Sequence, residues 1–320
     1  MRAGGAGFGT ENSPGAEADQ QVLAIESVES NSASPRDVSD VLKCLLTTSA
    51  RLPMSLYPFA GAHAVQSVAF GFEWTNELSD AELSAVNVAY LAQLRPSLPV
   101  AASTQSMVVQ IESGGVASMN TSAQGGWRYS KPGHGGMARL LDVQRNRCVG
   151  QFNDYTRWGP VFKEAKKWFD AVGPNLGSRQ YTSLGLEYTD VFNWRADPQS
   201  LNVAEVFRTD SPYLPSNVFR QKSLWHSHHG FLSDRTAPGV ENKLLENINV
   251  NLIEELGQRS IVITTVHRAS FVDVWGWEAL NPLLVPMFED FHARNKQTLS
   301  DLLTNEVLDK ISLNGKAKGE

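Results

Sequence analysis

Any chemistry in this chain must be sought first among its histidines. His226 and His228 lie two apart in a run, 222–233, that reads as a strand. Side chains alternate along a strand, so both imidazoles are expected on one face and His229 on the other. Neutral imidazoles so placed can bind zinc, nickel or iron. Such a site needs three or four ligands, and His267, on a later strand, is the candidate third. The plainer alternative is a polar strand side turned to solvent, with Trp225 and His229 facing the other way. Glu289-x-x-His292 is half of the motif of carboxylate di-iron bundles. Those sites use two such motifs and further glutamates; with one copy here, a weak i, i+3 pair on a helix is the simpler reading.

Nucleophiles and phosphate loops fare no better. No Gly-x-Ser-x-Gly occurs. Cys148 falls mid-strand, as a buried small apolar residue would, and strand alternation turns Arg147 away from its thiol. Three glycine-dense stretches are present: Gly114-Gly115, Gly125-Gly126 and Gly133-His134-Gly135-Gly136. The last leads into a strand and not a helix, so it fails the context that phosphate cradling requires. Lys131 to His134 reads instead as a hairpin loop, and His134 as a candidate recognition residue. Lys163, Lys166 and Lys167 recur at i, i+3, i+4 on one side of a helix, where they could meet nucleic acid or simply face solvent. Asp154 is placed to cap that helix. Tyr155 and Trp158, three apart, are expected to anchor it on a sheet.

These residues need elements to hold them. Alternation over 63–74 (Val65, Val68, Phe70, Phe72, Trp74) indicates a half-buried strand. Ser79 with Glu82 three residues on is a capping box, opening a helix to Leu94. Strands are expected at 104–112, 115–121, 127–130, 137–143 and 147–153, then a helix over 156–172. The order then repeats: a strand over 181–194, a short helix near 202–207, strands at 222–233, 243–254 and 259–270, a long helix over 278–303 and a short one over 305–311. Short turns at Asn146 and at Gly257-Gln258 make neighbouring strands antiparallel.

Bulk properties set the class. Hydrophobic residues make up 42% of the chain. That is enough for a sizeable core, so a wholly disordered chain is excluded. The formal net charge of −6 disfavours a broad nucleic-acid footprint. Two cysteines, Cys44 and Cys148, lack CxxC spacing and suit a reducing compartment. No secretory signal or membrane span is visible, so a cytoplasmic location is expected. Residues 1–35 read as a flexible arm rich in Gly, Ala, Ser and Glu, and 35–47 as a short helix capped by Ser34.

The chain resembles a sporadically distributed family of uncharacterised prokaryotic proteins of about 250–300 residues. The resemblance is carried by the strand 65–74, by Gln151-Phe152-Asn153-Asp154-Tyr155-Thr156-Arg157-Trp158 with its Tyr-x-x-Trp, and by the strand 183–191. The tail 288–308, which ends in Leu303-Thr304-Asn305-Glu306, completes it. These are packing motifs spanning about 60–312. Leu184 to Tyr188 departs from them, since a more basic strand is expected there. The resemblance implies a fold and a bacterial cytoplasmic origin, and its patchy distribution points to a defence or mobile-element locus.

The expected fold is α+β: tandem β-α-β-meander-α halves, 61–176 and 177–320, behind an arm 1–60. They would form helix-covered antiparallel sheets, as two sheets or one continuous one. The expected function is a protein-interaction or accessory module without catalytic activity or cofactor. Its partner is another protein, self-association stays open, and no membrane is involved. Two alternatives are a metal or small-ligand enzyme using His226, His228 and His267, and a nucleic-acid module using Lys163, Lys166 and Lys167.

Overall fold

A computed structural model describes residues 55–111, 117–233 and 242–313, with side chains placed for all of these except 106–123 and 242. The expected arm and the helix over 35–47 lie outside the described residues, as does Cys44. The elements in chain order are β1 (Leu56–Pro58), β2 (Val65–Trp74), α1 (Asp80–Gln93), β3 (Val100–Ile111), β4 (Ala117–Gly133), β5 (Gly136–Gln144), β6 (Arg147–Phe152) and α2 (Trp158–Val172). They continue with β7 (Gln180–Trp194), α3 (Val203–Val206), β8 (Trp225–Ser233), β9 (Asn242–Glu255), β10 (Gln258–Trp275), α4 (Trp277–Leu302) and α5 (Asn305–Lys310).

All the strands join one antiparallel sheet, ordered β3-β4-β5-β6-β2-β7-β10-β9-β8, with β1 pairing the far end of β7. The expected halves therefore share a sheet through the β2–β7 pair. In each half the first strand lies beside the last strand of its meander: β2 against β6, β7 against β10. The β9–β10 turn carries Leu256 and Gly257, both at positive φ. That left-handed pair is what a two-residue hairpin needs to match strand twist. Sequence reasoning puts a break between strands at Gly125-Gly126, yet β4 runs through it. Gly126 also has positive φ, and a Cβ there would lie 2.2 Å from the Val143 carbonyl oxygen. Glycine thus makes the irregularity that lets one strand continue.

The helices cover one face. From β2, Val68, Phe70, Phe72 and Trp74 are buried. Phe70 meets Trp158 and Phe162 of α2 and Phe288 of α4, while Phe72 meets Phe169 of α2 and Trp277 of α4. Tyr90 of α1 stacks on Tyr129 of β4 at 3.9 Å. A second apolar cluster joins Phe192, Ile248, Val250, Ile261 and Ile263 of the sheet to Val206, Leu299, Leu302 and Val307 of the helices. Aromatic pairs of this kind add to the area they bury, so the helix face holds most of the fold's cohesion.

Two local expectations divide. The α1 capping box is present, with the Ser79 side chain accepting from the Glu82 amide and Glu82 accepting from the Ser79 amide at 2.8 Å. Burial works to raise the Glu82 carboxyl, but its bonds from Ser79 and the Arg179 charge outweigh that and hold it below the usual range. Asp154, in contrast, does not cap α2. The helix begins at Trp158, so the N-cap position falls on Arg157, with no side-chain bond, and Asp154 lies three residues ahead of it. Its carboxylate is held instead by Arg139 of the neighbouring strand at 2.8 Å.

Candidate functional site

The sheet separates the expected metal ligands. His226 and His228 pair with Asn251 and Asn249 of β9 and are exposed on the face away from the helices. His267 pairs with Leu186 and Glu246 on the opposite, helix-covered face and is fully buried. Alternation along β10 dictates this, since residues 262, 264 and 266 share the histidine pair's face and 267 does not. The three therefore do not form one ligand set. Among the described residues no group of three His, Cys, Asp or Glu side chains is placed to hold a metal ion.

The other candidates are placed as follows. Lys163 and Lys167 are exposed on α2, and Lys166 is tied to Asp170 at 2.6 Å. His134 is exposed at the tip of the β4–β5 hairpin. The tip lines a depression of 650 Å³ with Phe59, Ser67, Gln151 and Asp154. Cys148 is buried, and burial raises its thiol well above the usual range, which makes it a poor nucleophile. Glu289 and His292 bracket Trp158 instead of each other: the indole Nε1 donates to Glu289 at 2.8 Å, and His292 stacks on the ring at 4.2 Å.

A polar seam that sequence reasoning missed lies between sheet and helices. The Tyr188 hydroxyl and His292 Nδ1 are 2.9 Å apart. Burial raises the tyrosine and lowers the histidine to about 4, so both are neutral and the hydroxyl donates. Asp190, two residues on, is fully buried, and its Oδ2 has no hydrogen-bond partner. Burial raises its carboxyl to about 7. Burial and the Asp190 charge push the nearby Tyr155 up to about 12. Shifted groups often mark function. Here the tyrosines and His292 are held in their neutral forms inside the core, Asp190 titrates near neutrality, and none is an activated nucleophile. Sequence reasoning gives His292 and Tyr155 other roles; the signal it leaves unread is Asp190 in an otherwise apolar strand register.

The opposite face carries no helix among the described residues. At its centre Gly71 of β2 faces Gly185 of β7, leaving a trough of 140 Å³. Ala69, Val149 and Val266 supply its apolar walls. Its rim is charged. Arg268 pairs with Glu73, which also accepts from Ser183 at 3.1 Å. Glu187 has no ion-pair partner among the described residues, and although it reaches solvent, partial burial raises its carboxyl. Ala69 is followed across the sheet by Gln151, so the trough adjoins the hairpin depression that holds His134. An aliphatic side chain fits the trough, and a cation fits the carboxylate at its rim.

Compared with known proteins, the chain matches no family model and no curated protein sequence. No helix among the described residues is long and apolar enough to cross a membrane.

Proposed function

We propose that this chain is a non-catalytic protein-interaction module that receives another protein on the open face of its sheet. The partner places one apolar side chain in the trough between Gly71 and Gly185 and a Lys or Arg beside Glu187. The observation carrying this reading is the glycine pair. On β-strands glycine costs stability, and it is retained where another backbone or ligand approaches closely. Two glycines face each other here at the centre of the sheet, and next to them lies a carboxylate, Glu187, that reaches solvent and has no ion-pair partner among the described residues. Such a carboxylate gains most from a cation supplied by a partner. The hairpin tip with His134 extends the same surface. The family resemblance supports a bacterial cytoplasmic setting. In each half the first strand lies beside the last of its meander, which has four strands in the first half and three in the second, and this shared placement supports a tandem duplication of one β-α-β-meander-α unit.

Gly185→Leu tests this. A Cβ at 185 would meet the Arg268 side chain at an ordinary 3.7 Å, so the fold tolerates the change while the trough is filled. The partner is first identified by photo-crosslinking in the native host and then purified. Its affinity should fall about tenfold or more in the variant at unchanged melting temperature, the loss of roughly one buried side-chain contact. Unchanged affinity, or a host that yields no stable partner, refutes the reading.

A further inference from the structure

The helix-covered face holds a second cavity, near the β8 edge and remote from the trough. It measures 600 Å³ and lies between α4 and the strands β8 and β9. α4 contributes Arg294, Gln297, Thr298 and Asp301, one turn apart and hence on one side of the helix. The strands contribute Phe231, Ser233 and Glu246, and the loop before β8 contributes Tyr213. Helical spacing and strand alternation thus bring together two carboxylates, a guanidinium, hydroxyls and two aromatic rings.

Three features of this cavity select a ligand. The first is charge. Arg294 is already held by Asp290 at 2.6 Å and Glu246 at 3.2 Å. Arg208, close enough to feel Asp301, is held by Asp210 at 3.0 Å. Among the described residues, four carboxylates (Glu246, Asp290, Asp301, Asp210) therefore stand against two guanidinium groups, a formal charge of −2 that favours a cation. The second is the aromatic wall. Tyr213 and Phe231 lie parallel, with ring centroids 6.4 Å apart. Ring faces attract ammonium groups. The third is unused hydrogen-bonding capacity. His267 projects from β10 beside Glu246, its Nδ1 3.9 Å from the carboxylate that lines the cavity. The ring is fully buried and neither nitrogen has a hydrogen-bond partner. Buried polar groups are rarely left so; the ring does not itself line the cavity, and at 3.9 Å it leaves that Glu246 oxygen open to a donor from the cavity.

We propose that this cavity binds a small organic amine, of the diamine or polyamine class. One ammonium lies against Asp301 and the Tyr213–Phe231 wall. The other donates to Glu246, whose second oxygen faces His267. A neutral diol lacks the charge for this site, and an anion meets the wrong sign. The site is on the other face from the trough, so it stands or falls separately from the protein-binding reading.

Calorimetric titration of the full chain with putrescine and with spermidine at low salt tests the proposal, with 1,4-butanediol and inorganic phosphate as controls. One of the amines should give saturable one-to-one binding, and neither control should. Asp301→Asn removes one charge contact from a side chain whose bonded neighbour is the exposed Gln297. It should weaken binding about tenfold at unchanged melting temperature. Phe231→Leu, on the edge strand, should also weaken it. Absence of saturable binding up to about 10 mM amine overturns the proposal. So does binding of phosphate in place of amine, or amine affinity that both variants leave intact.

Discussion

Replacing the buried carboxyl of Asp190 with its neutral isostere should make the protein more stable at neutral pH and leave it nearly unchanged in acid. Asp190 sits among Tyr155, Tyr188 and the apolar residues of β2 and β10, with Oδ2 unbonded. Its carboxyl titrates at about 7 in the folded protein against 3.8 in an ordinary setting. A raised folded-state value means that the folded protein holds the proton more tightly. The associated stability is then fully present below about pH 4 and is lost as pH rises through 7. About three pH units at about 1.36 kcal/mol each give a loss of about 4 kcal/mol by pH 8. In a domain of this size that is roughly 10 °C in melting temperature. His267 and His292, both lowered to about 4, have the opposite sign: their contribution is present above pH 6.5 and is lost as pH falls towards 4. The wild-type profile alone therefore mixes opposing slopes. The difference between wild type and Asp190→Asn isolates the carboxyl. Urea denaturation of both proteins from pH 4 to 8, followed by two spectroscopic probes, measures it. The two profiles should converge near pH 4, and the variant should be the more stable at pH 8. Parallel profiles, or a variant that is weaker at pH 8, would refute the reasoning.

Three further outcomes are expected. Gly173, at the end of α2, lies so close to Trp277 that a Cβ would fall 2.4 Å from the indole. Gly173→Ala should cost about 2 kcal/mol in thermal denaturation, and Trp277→Leu should relieve part of that cost when combined with it. Ser79→Ala removes the α1 capping box and should cost about 1 kcal/mol by the same assay, without altering partner binding on the far side of the sheet. His292→Gln should blunt the loss of stability that sets in as pH falls towards 4. The change should be about 2 kcal/mol in the unfolding free energy from denaturant titration, after allowing for solvent screening of the partly exposed ring.

The elements were legible where periodicity was strong and local. The alternation of Val68, Phe70, Phe72 and Trp74, the Ser79/Glu82 box and the long apolar stripe of α4 each announce themselves within a dozen residues. The sequence left open whether the halves form two sheets or one continuous one, because the β2–β7 pair that joins them depends on contacts far apart in sequence. The fate of Asp154 was missed for the same reason, since Arg139 on the neighbouring strand takes its carboxylate. The histidines show the limit most clearly. Period two correctly puts His226 and His228 on one face, but only the β10 register reveals that His267 lies on the other. Glycines at 71 and 185 read singly as weak points in strands; their meaning as a trough appears only when the register sets them face to face.

The most direct test of the central claim compares the two faces in living cells. A photo-reactive amino acid is placed singly at Gln151, which adjoins the trough on the open face and leaves Glu187 intact, and at Val285 and Lys167 on the exposed surfaces of α4 and α2. A single protein partner crosslinked from position 151, with none from 285 or 167, is the expected result. Crosslinks confined to the helix surfaces would contradict it.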